Sequence, residues 1–329
     1  MQLSILDQSP ISEGSSASAA LRNTIDLASL ADKLGYHRYW VAEHHGTPAL
    51  ACTSPEALIG PLAAATTRLR IGSGGVMLPH YSPFKVAETF ALLSGLFPGR
   101  IDLGIGRASG TDPRTSLALQ RDREGPPLDD FPHQLSELLA WFNGSIPEGH
   151  PFARQAAMLA PLEKPEPWLL GSSPQSALWA AELGLPYAFA DFINAGGGEL
   201  ASLYRSRFAG AVSKPRVMVA AWALCADTDA EAERLALSGR MLFQLFRSGT
   251  LIQVPTVARA QAYFAAAAPG LPAARRTIVG SPAKVKAGLE AVAAEYGAEE
   301  IMVVTICHDH AARRRSYELI AGAFALSAQ

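Results

Sequence analysis

Short apolar runs alternate along the chain with longer segments in which apolar residues recur every three or four positions. The short runs are typical of strands buried on both faces, and the longer segments are typical of helices that pack on one face. Such an alternation predicts a parallel sheet covered by helices. The eight predicted strands span residues 2–6, 38–42, 70–76, 101–105, 167–170, 187–190, 216–224 and 301–306.

Serine followed by proline marks the start of several predicted helices. Serine is a favoured N-cap residue and proline a favoured first helical residue. We predict helices over residues 18–34, ending at Gly35, over residues 54–66, and from 82 to Gly95. The pairs Ser173-Pro174 and Ser281-Pro282 start two more.

Two stretches interrupt the alternation of strands and helices. Residues 108–166 are rich in proline and charge and predict at most one helix, over 131–143, whereas residues 227–275 show two extra helical patterns. We predict one domain over residues 1–329, an α/β fold of the (β/α)8 TIM-barrel type with insertions after strand 4 and strand 7. An open doubly wound sheet is the alternative fold. Both insertions are expected to help cover the site.

Composition narrows the classes of function. The chain has 329 residues, of which 49% are hydrophobic and 18% charged, and its formal net charge is −2. This balance argues against nucleic acid or a membrane surface as the main partner. The apolar runs are too short to span a membrane and residues 1–7 do not resemble a signal peptide, so we expect a cytoplasmic protein. The three cysteines are widely spaced, which favours buried thiols over disulfides or a zinc site.

The residues just after the second strand form the first candidate site. Active sites of such barrels lie where strands end, and here Glu43, His44 and His45 follow a buried strand. Three polar groups at this place favour a function over a structural hydrogen bond. A histidine with the ordinary pKa near 6.5 would exchange a proton near neutral pH, with Glu43 and His45 available to fix the tautomer of His44.

Glycines and one arginine mark the next two strands. Residues 72–75 read Gly-Ser-Gly-Gly, which indicates either a β-bulge or close approach of a flat ligand. Residues 104–109 lack the third glycine of a dinucleotide-binding fingerprint, and no helix pattern follows them. Arg107 remains as a candidate clamp for an anion, since guanidinium binds phosphate with two hydrogen bonds.

The turn after the fifth strand is a candidate phosphate site. Residues 171–176 combine Gly171 with the hydroxyls of Ser172, Ser173 and Ser176 at a predicted helix N-terminus, where phosphates bind readily. An ordinary serine cap is the alternative.

Near the end of the chain, His308 and His310 indicate either half of a metal site or, with Asp309 between them, a helix N-cap.

Six short motifs are spread over most of the chain: LSILD at 3–7, YWVAEHH at 39–45, GSGGVMLP at 72–79, PGRIDLGIGR at 98–107, WAAELGLP at 179–186 and EIMVVT at 300–305. In their order and spacing they resemble the motifs of the luciferase-like flavin-dependent monooxygenases, in particular the single-chain bacterial oxidoreductases of that family.

The resemblance implies a barrel that binds FMN as FMNH2, received from a separate NAD(P)H-dependent flavin reductase, and uses O2 to oxygenate a small apolar organic substrate. His44 matches the family's catalytic histidine, and the Gly74–Gly75 bond lies where luciferases have a non-prolyl cis peptide. Arg107, Ser172, Ser173 and Ser176 match phosphate-binding positions. Gly106 stands where luciferase has a cysteine beside the flavin, so the resemblance does not extend to light emission.

The sequence leaves three other functions open. A deazaflavin (F420)-dependent hydride-transfer enzyme has the same barrel, a metal-dependent hydrolase would use His44, His45, His308 and His310, and a flavin-storage protein would lack activity. The candidates to face an apolar substrate are Met77, Tyr81, Phe192 and Trp222.

We also expect a homodimer that forms through the helices after strands two and three. On the first of these helices, small residues permit close approach of a partner: Ala57, Gly60, Ala63 and Ala64.

Overall fold

The protein is a closed parallel barrel of eight strands surrounded by helices. The computed structural model describes residues 1–107, 112–120, 130–159, 163–210, 214–266 and 276–327. The strands pair around the barrel in the order β6, β5, β4, β3, β2, β1, β9, β7, and β7 closes it on β6. Their bounds are β1 Gln2–Asp7, β2 Arg38–Val41, β3 Arg70–Met77, β4 Ile101–Gly106, β5 Glu166–Gly171, β6 Tyr187–Ala190, β7 Val217–Cys225, β8 Ile278–Gly280 and β9 Glu300–Val304.

All eight predicted strands are present, so the predicted barrel is confirmed and the open sheet is excluded. A ninth strand, β8, was not predicted; among the described residues it pairs with the end of β7, from Ala223 to Cys225. Its three residues, Ile-Val-Gly, are too few to show any periodicity.

Helices follow most strands and cover the outside of the barrel. Their bounds are α1 Ala17–Leu34, α2 Pro55–Ala64, α3 Pro83–Leu96, α4 Pro113–Leu119, α5 Phe131–Asn143, α6 Ala153–Leu159, α7 Pro174–Glu182, α8 Gly198–Arg207, α9 Asp229–Arg247, α10 Val257–Ala266, α11 Pro282–Tyr296 and α12 His310–Ala323. Gly35 ends α1 with a left-handed backbone, as predicted, whereas α3 continues past Gly95 by one residue. Within the described residues, no helix is long and apolar enough to cross a membrane.

The insertion after β4 is more helical than its sequence indicates. We predicted at most one helix there, and the described residues form α4, α5 and α6. The prediction was wrong because α4 and α6 have only seven residues each, about two turns, which is too short for a helical period to be recognised. In the insertion after β7, α9 and α10 agree with the two predicted patterns, and the end of that insertion lies outside the described residues.

A cluster of charged side chains fills the N-terminal end of the barrel. Arg38 at the start of β2 bonds Asp102 of β4 and Glu166 of β5, both at 2.8 Å, and Glu300 of β9 at 3.1 Å. The Arg38 guanidinium also lies 4.9 Å from the centre of the Trp168 ring. Buried charges require such partners, and their pairing across four strands closes this end of the barrel.

A second buried ion pair joins the first strand to the last helix. Asp7, at the end of β1, accepts hydrogen bonds from Arg313 of α12 at 2.6 Å and from the Tyr39 hydroxyl at 2.5 Å. Burial alone would raise the pKa of Asp7, but the Arg313 charge and these hydrogen bonds outweigh it, so the pKa lies below its usual value. The chain ends are thereby held together at the C-terminal ends of the strands.

Candidate functional site

A cavity of about 550 Å³ lies at the C-terminal ends of the barrel strands. That is the end at which barrels of this kind carry their active sites. The nine residues predicted for the site all line it: His44, Gly74, Gly75, Gly106, Arg107, Gly171, Ser172, Ser173 and Ser176. Parallel strands bring their ends to one face, which is why residues far apart in the chain meet here.

Much of the cavity wall is apolar. Leu6, Trp40, Met218 and Met302 contribute to it from the barrel interior. Of the four predicted substrate-facing residues, Met77 and Phe192 line the cavity. The other two do not: Trp222 packs against Phe243, with ring centroids 5.1 Å apart, and Tyr81 donates a hydrogen bond to Glu43 at 3.1 Å. The wall therefore suits an apolar ligand.

His44 is half-buried three residues beyond β2, where its backbone N–H donates to the Cys52 carbonyl at 3.0 Å. Burial lowers the pKa of His44 to about 4, the nearby His45 adds to this effect, and a hydrogen bond with the Ala42 backbone opposes it. Its Nδ1 is buried without a hydrogen-bond partner among the described residues. The imidazole is thus neutral at pH 7, a different state from the readily protonated group that the sequence analysis expected.

The fully buried carboxylate of Glu43 makes its hydrogen bonds with groups other than His44. It accepts hydrogen bonds from the Met77 N–H at 2.9 Å and the Tyr81 hydroxyl at 3.1 Å, and it lies 2.8 Å from Nε2 of His45. The expectation that Glu43 orients His44 was therefore wrong. Glu43 instead ties the end of β2 to the end of β3, where Met77 lines the cavity.

The glycines of the cavity wall permit close packing of backbone. The Gly74–Gly75 peptide bond is cis, as the resemblance implied, and the β3–β4 register shifts between Gly74 and Val76, as a β-bulge does. A Cβ on Gly75 would lie 2.8 Å from the Gly104 carbonyl oxygen, and one on Gly106 would lie 3.1 Å from the Met77 sulfur. A side chain at Gly75 would therefore clash with backbone, whereas one at Gly106 would press on the flexible Met77 side chain.

The turn after β5 is shaped by serine hydroxyls. Ser173 caps α7 by accepting from the Ser176 N–H at 3.3 Å, and the Ser176 hydroxyl donates to the Ser173 carbonyl at 2.8 Å. A Cβ on Gly171 would lie 2.1 Å from the Ser176 hydroxyl oxygen, so glycine lets the turn fold back on itself. Ser173 is therefore a helix cap and also lines the cavity, and the N-terminal end of α7 faces the ligand space.

Arg107 follows β4 next to this turn. Its side chain is exposed, and its guanidinium lies 5.6 Å from the centre of the Trp179 ring on α7. The stacking brings the positive charge to the same end of the cavity as the α7 N-terminus. Both the helix dipole and the guanidinium favour an anion at this end.

The second histidine motif does not converge on the cavity. The His308 Nε2 lies 3.1 Å from the Glu13 carbonyl, and the His310 Nε2 lies 2.8 Å from the Asp26 carboxylate. Asp309 caps α12 by accepting from the Ala312 N–H at 2.8 Å, as its N-cap interpretation predicted. Among the described residues, no group of three or more histidine, cysteine or acidic side chains is placed to hold a metal ion.

Besides the apolar residues of the barrel interior, the cavity is lined by Gln8 and Phe131, which were not predicted for the site. Gln8, directly after β1, lines it and is only 6% exposed, and its Oε1 has no hydrogen-bond partner in the described part of the chain. Applying the strand-end rule to the first strand would have identified it. Phe131, from the insertion after β4, also lines the cavity, while no described residue of the insertion after β7 does, so the expected cover from that insertion is not seen.

Residues 1–300 match the luciferase-like monooxygenase family. A relative from Escherichia coli K12, named luciferase-like monooxygenase, is 44% identical over 96% of this chain and 95% of its own length. A relative from Bacillus subtilis, named N-acetyl-S-alkylcysteine monooxygenase, is 37% identical over 98% of both chains. These likenesses run through the whole barrel rather than one motif.

Solved structures show the same relationship. The structure of apo-MsnO8 is 40% identical and superposes with a TM-score of 0.90 over 100% of this chain and 98% of that one. The oxygenating constituent of 3,6-diketocamphane monooxygenase from Pseudomonas putida, solved with FMN, is 23% identical with a TM-score of 0.72 over 98% and 97% of the two chains, which is a likeness of fold. Because these matches cover most of its length, the chain belongs to the luciferase-like monooxygenase family.

Proposed function

We propose that the protein is an FMN-dependent monooxygenase that receives FMNH2 from a separate NAD(P)H-dependent flavin reductase and oxygenates a small, mainly apolar organic molecule. The observation that carries this proposal is the polarity of the cavity. The end of the cavity at Arg107 and the α7 N-terminus favours an anion, and the rest of the wall combines glycines and apolar side chains with a neutral histidine. FMN has the same division between a phosphate and a flat ring.

The residues at the polar end fit the phosphate of FMN. Arg107 would pair with it, and Gly171, Ser172, Ser173 and Ser176 form the turn that presents the α7 N-terminus to it. Because Ser173 and Ser176 already bond one another, they preorganise this turn and avoid the entropy cost of ordering it on binding.

The middle of the cavity fits the ring. Gly74, Gly75 and Gly106 would contact it through backbone, since all three line the cavity and glycine has no side chain. When bound and reduced, FMN supplies the electrons with which O2 is activated and one oxygen atom is transferred to the substrate. Solved structures of this fold include one in complex with FMN, at 23% identity, and one with an F420 adduct, at 14% identity, and both likenesses are of fold.

His44 and the apolar wall would act on the reacting groups. The neutral imidazole has a buried Nδ1 without a partner among the described residues, and a bound molecule that reached it would donate or accept a hydrogen bond according to the tautomer. The apolar side chains of Leu6, Trp40 and Met302 line the same cavity and would disfavour water there. Exclusion of water protects an oxygenation from side reactions that release hydrogen peroxide.

The test is an assay with isotopic oxygen. The purified protein is incubated under 18O2 with NADH, FMN, a flavin reductase and a panel of thioethers and ketones, beginning with an N-acetyl-S-alkylcysteine because of the Bacillus relative. One 18O atom in a product supports the proposal. Absence of FMN binding contradicts it, flavin binding without any product indicates flavin storage, and anaerobic F420 reduction by a secondary alcohol supports the deazaflavin alternative.

A further inference from the structure

Gln8 brings a neutral hydrogen-bonding group to the apolar part of the cavity. Along β1 and beyond, Leu6 and Gln8 both line the cavity, while Asp7 between them bonds Arg313 of α12. This is the alternation expected of an extended chain. Gln8 is 6% exposed, and its Oε1 has no partner among the described residues.

The backbone on both sides of Gln8 is fixed by buried hydrogen bonds. Ser9 has a φ of 50°, its N–H donates to the Asp7 carboxylate at 2.7 Å, and its carbonyl accepts from the Ala51 N–H at 2.9 Å. The Ser9 hydroxyl also accepts from the Thr24 hydroxyl at 2.9 Å. A non-glycine residue with positive φ is uncommon and persists where its surroundings determine it, often at functional sites. These hydrogen bonds therefore fix the backbone from which the Gln8 side chain extends.

Other polar groups in this part of the cavity are already paired. Glu43 has three partners, and the indole N–H of Trp40 donates to Asp102 at 2.9 Å. Among the described residues of the cavity wall, the buried side-chain atoms without a partner are Oε1 of Gln8 and Nδ1 of His44. Because Oε1 of Gln8 is already buried without a partner among the described residues, a bound molecule that donates a hydrogen bond to it would satisfy a buried acceptor.

We propose that Gln8 determines substrate specificity by hydrogen-bonding a neutral amide group on an otherwise apolar substrate. A carboxamide offers one acceptor and two donors, and another amide is complementary to both kinds. A hydrocarbon would leave Gln8 unpaired, and a site built around a hydrogen bond rejects analogues that lack the matching group. The inference rests on the proposed function only in that the bound molecule is the oxygenation substrate.

The test compares two probes of similar size, N-benzylacetamide and butylbenzene, by calorimetry, first without flavin and again with oxidised FMN. The parent should bind the amide, and Gln8→Leu should lower the affinity for the amide relative to butylbenzene by about tenfold, the effect of one lost hydrogen bond. Gln8→Met is measured in parallel in case the leucine variant does not fold. As a matched control, Ile193→Val trims another cavity residue and should alter both affinities equally.

The inference is overturned if N-benzylacetamide does not bind the parent, or if both Gln8 variants leave the ratio of affinities unchanged. It is also overturned if the variants lose affinity for FMN but not for the amide, because Gln8 would then contact the flavin. A parent that binds no FMN but keeps a Gln8-dependent preference for the amide contradicts the proposed function alone. A parent that oxygenates without this preference contradicts the Gln8 inference alone.

Discussion

The His45 imidazole lies 2.8 Å from the Glu43 carboxylate, whereas Nδ1 of the adjacent His44 has no partner among the described residues. Two neighbouring histidines thus have different environments: one is paired with a buried acid, and the other faces the cavity with a lowered pKa. Of the two histidines, His44 lines the cavity and has a ring nitrogen without a partner among the described residues, which makes it the histidine to replace first.

Replacing His44 with alanine should uncouple oxygen consumption from product formation. FMN affinity should be retained, and product formation should fall by about 10² to 10⁴, the usual contribution of a proton-transferring or hydrogen-bonding group. The oxidising equivalents should then appear as H2O2. The ratio of product to H2O2 is measured in the parent, in His44→Ala and, as a control, in His133→Ala, whose side chain is exposed. An unchanged ratio in His44→Ala would mean that the histidine is structural.

The lowered pKa of His44 also predicts how stability depends on pH. The pKa is about 4 in the folded protein and near 6.5 in the unfolded chain, so the unfolded chain binds more protons between these values. The free energy of unfolding should therefore decrease as the pH falls from 6.5 towards 4. Urea unfolding at pH 7 and pH 5 should show a smaller decrease in His44→Gln than in the parent. Equal decreases would contradict the assigned pKa.

Arg107→Ala should weaken FMN binding and leave riboflavin binding nearly unchanged, because only FMN carries the phosphate. Loss of one charge-assisted contact is worth about 1.5 to 3 kcal/mol, or roughly ten- to a hundredfold in affinity. Fluorescence titration with both flavins measures the difference. Arg114→Ala, an exposed arginine on α4 that does not line the cavity, is the matched control. Equal weakening of both flavins would show that Arg107 does not recognise the phosphate.

Arg313→Met should destabilise the fold by about 3 to 5 kcal/mol, because it leaves the buried Asp7 carboxylate without its counter-ion. Arg315→Met, two residues along α12, breaks an exposed pair with Asp227 and should cost less than about 1 kcal/mol. Urea unfolding of the two variants gives the comparison. Similar losses in both would show that the Asp7–Arg313 pair contributes no more than a surface ion pair.

We also propose that the protein forms a homodimer through α2 and α3. On α3, Leu92 and Leu96 are one turn apart and 59% and 64% exposed, and an exposed apolar surface of this kind is typical of an interface. Of the small residues expected at the interface, Ala57 and Ala64 are exposed, Gly60 is partly buried and Ala63 packs in the core. Light scattering should give a dimer mass for the parent and a monomer mass for Leu92→Asp. Phe246→Asp on α9 is the control, and a monomeric parent would contradict the proposal.

The barrel could be predicted because the sequence features that define each strand and helix lie within or beside that element. Each strand is a short apolar run and most helices have a serine cap or a glycine end, so nearest neighbours in sequence determine the elements. The strand-end rule then placed His44, Arg107 and the residues 171–176 turn on one face without any coordinates. Where local signals were weak, as in β8, α4 and α6, the prediction failed.

The sequence by itself determined the eight barrel strands, the closed barrel and nine of the residues that meet at its C-terminal end. The tertiary structure decided which polar groups pair. Glu43 bonds His45, Tyr81 and the Met77 backbone rather than His44, and Asp7 meets Arg313 from the far end of the chain. Gln8 has an oxygen without a partner in the described part of the chain. Hydrogen bonding and desolvation depend on every group within a few ångströms, and most of those neighbours are distant in sequence. The pKa of His44 and the exposure of Gln8 to the cavity follow from that surrounding structure.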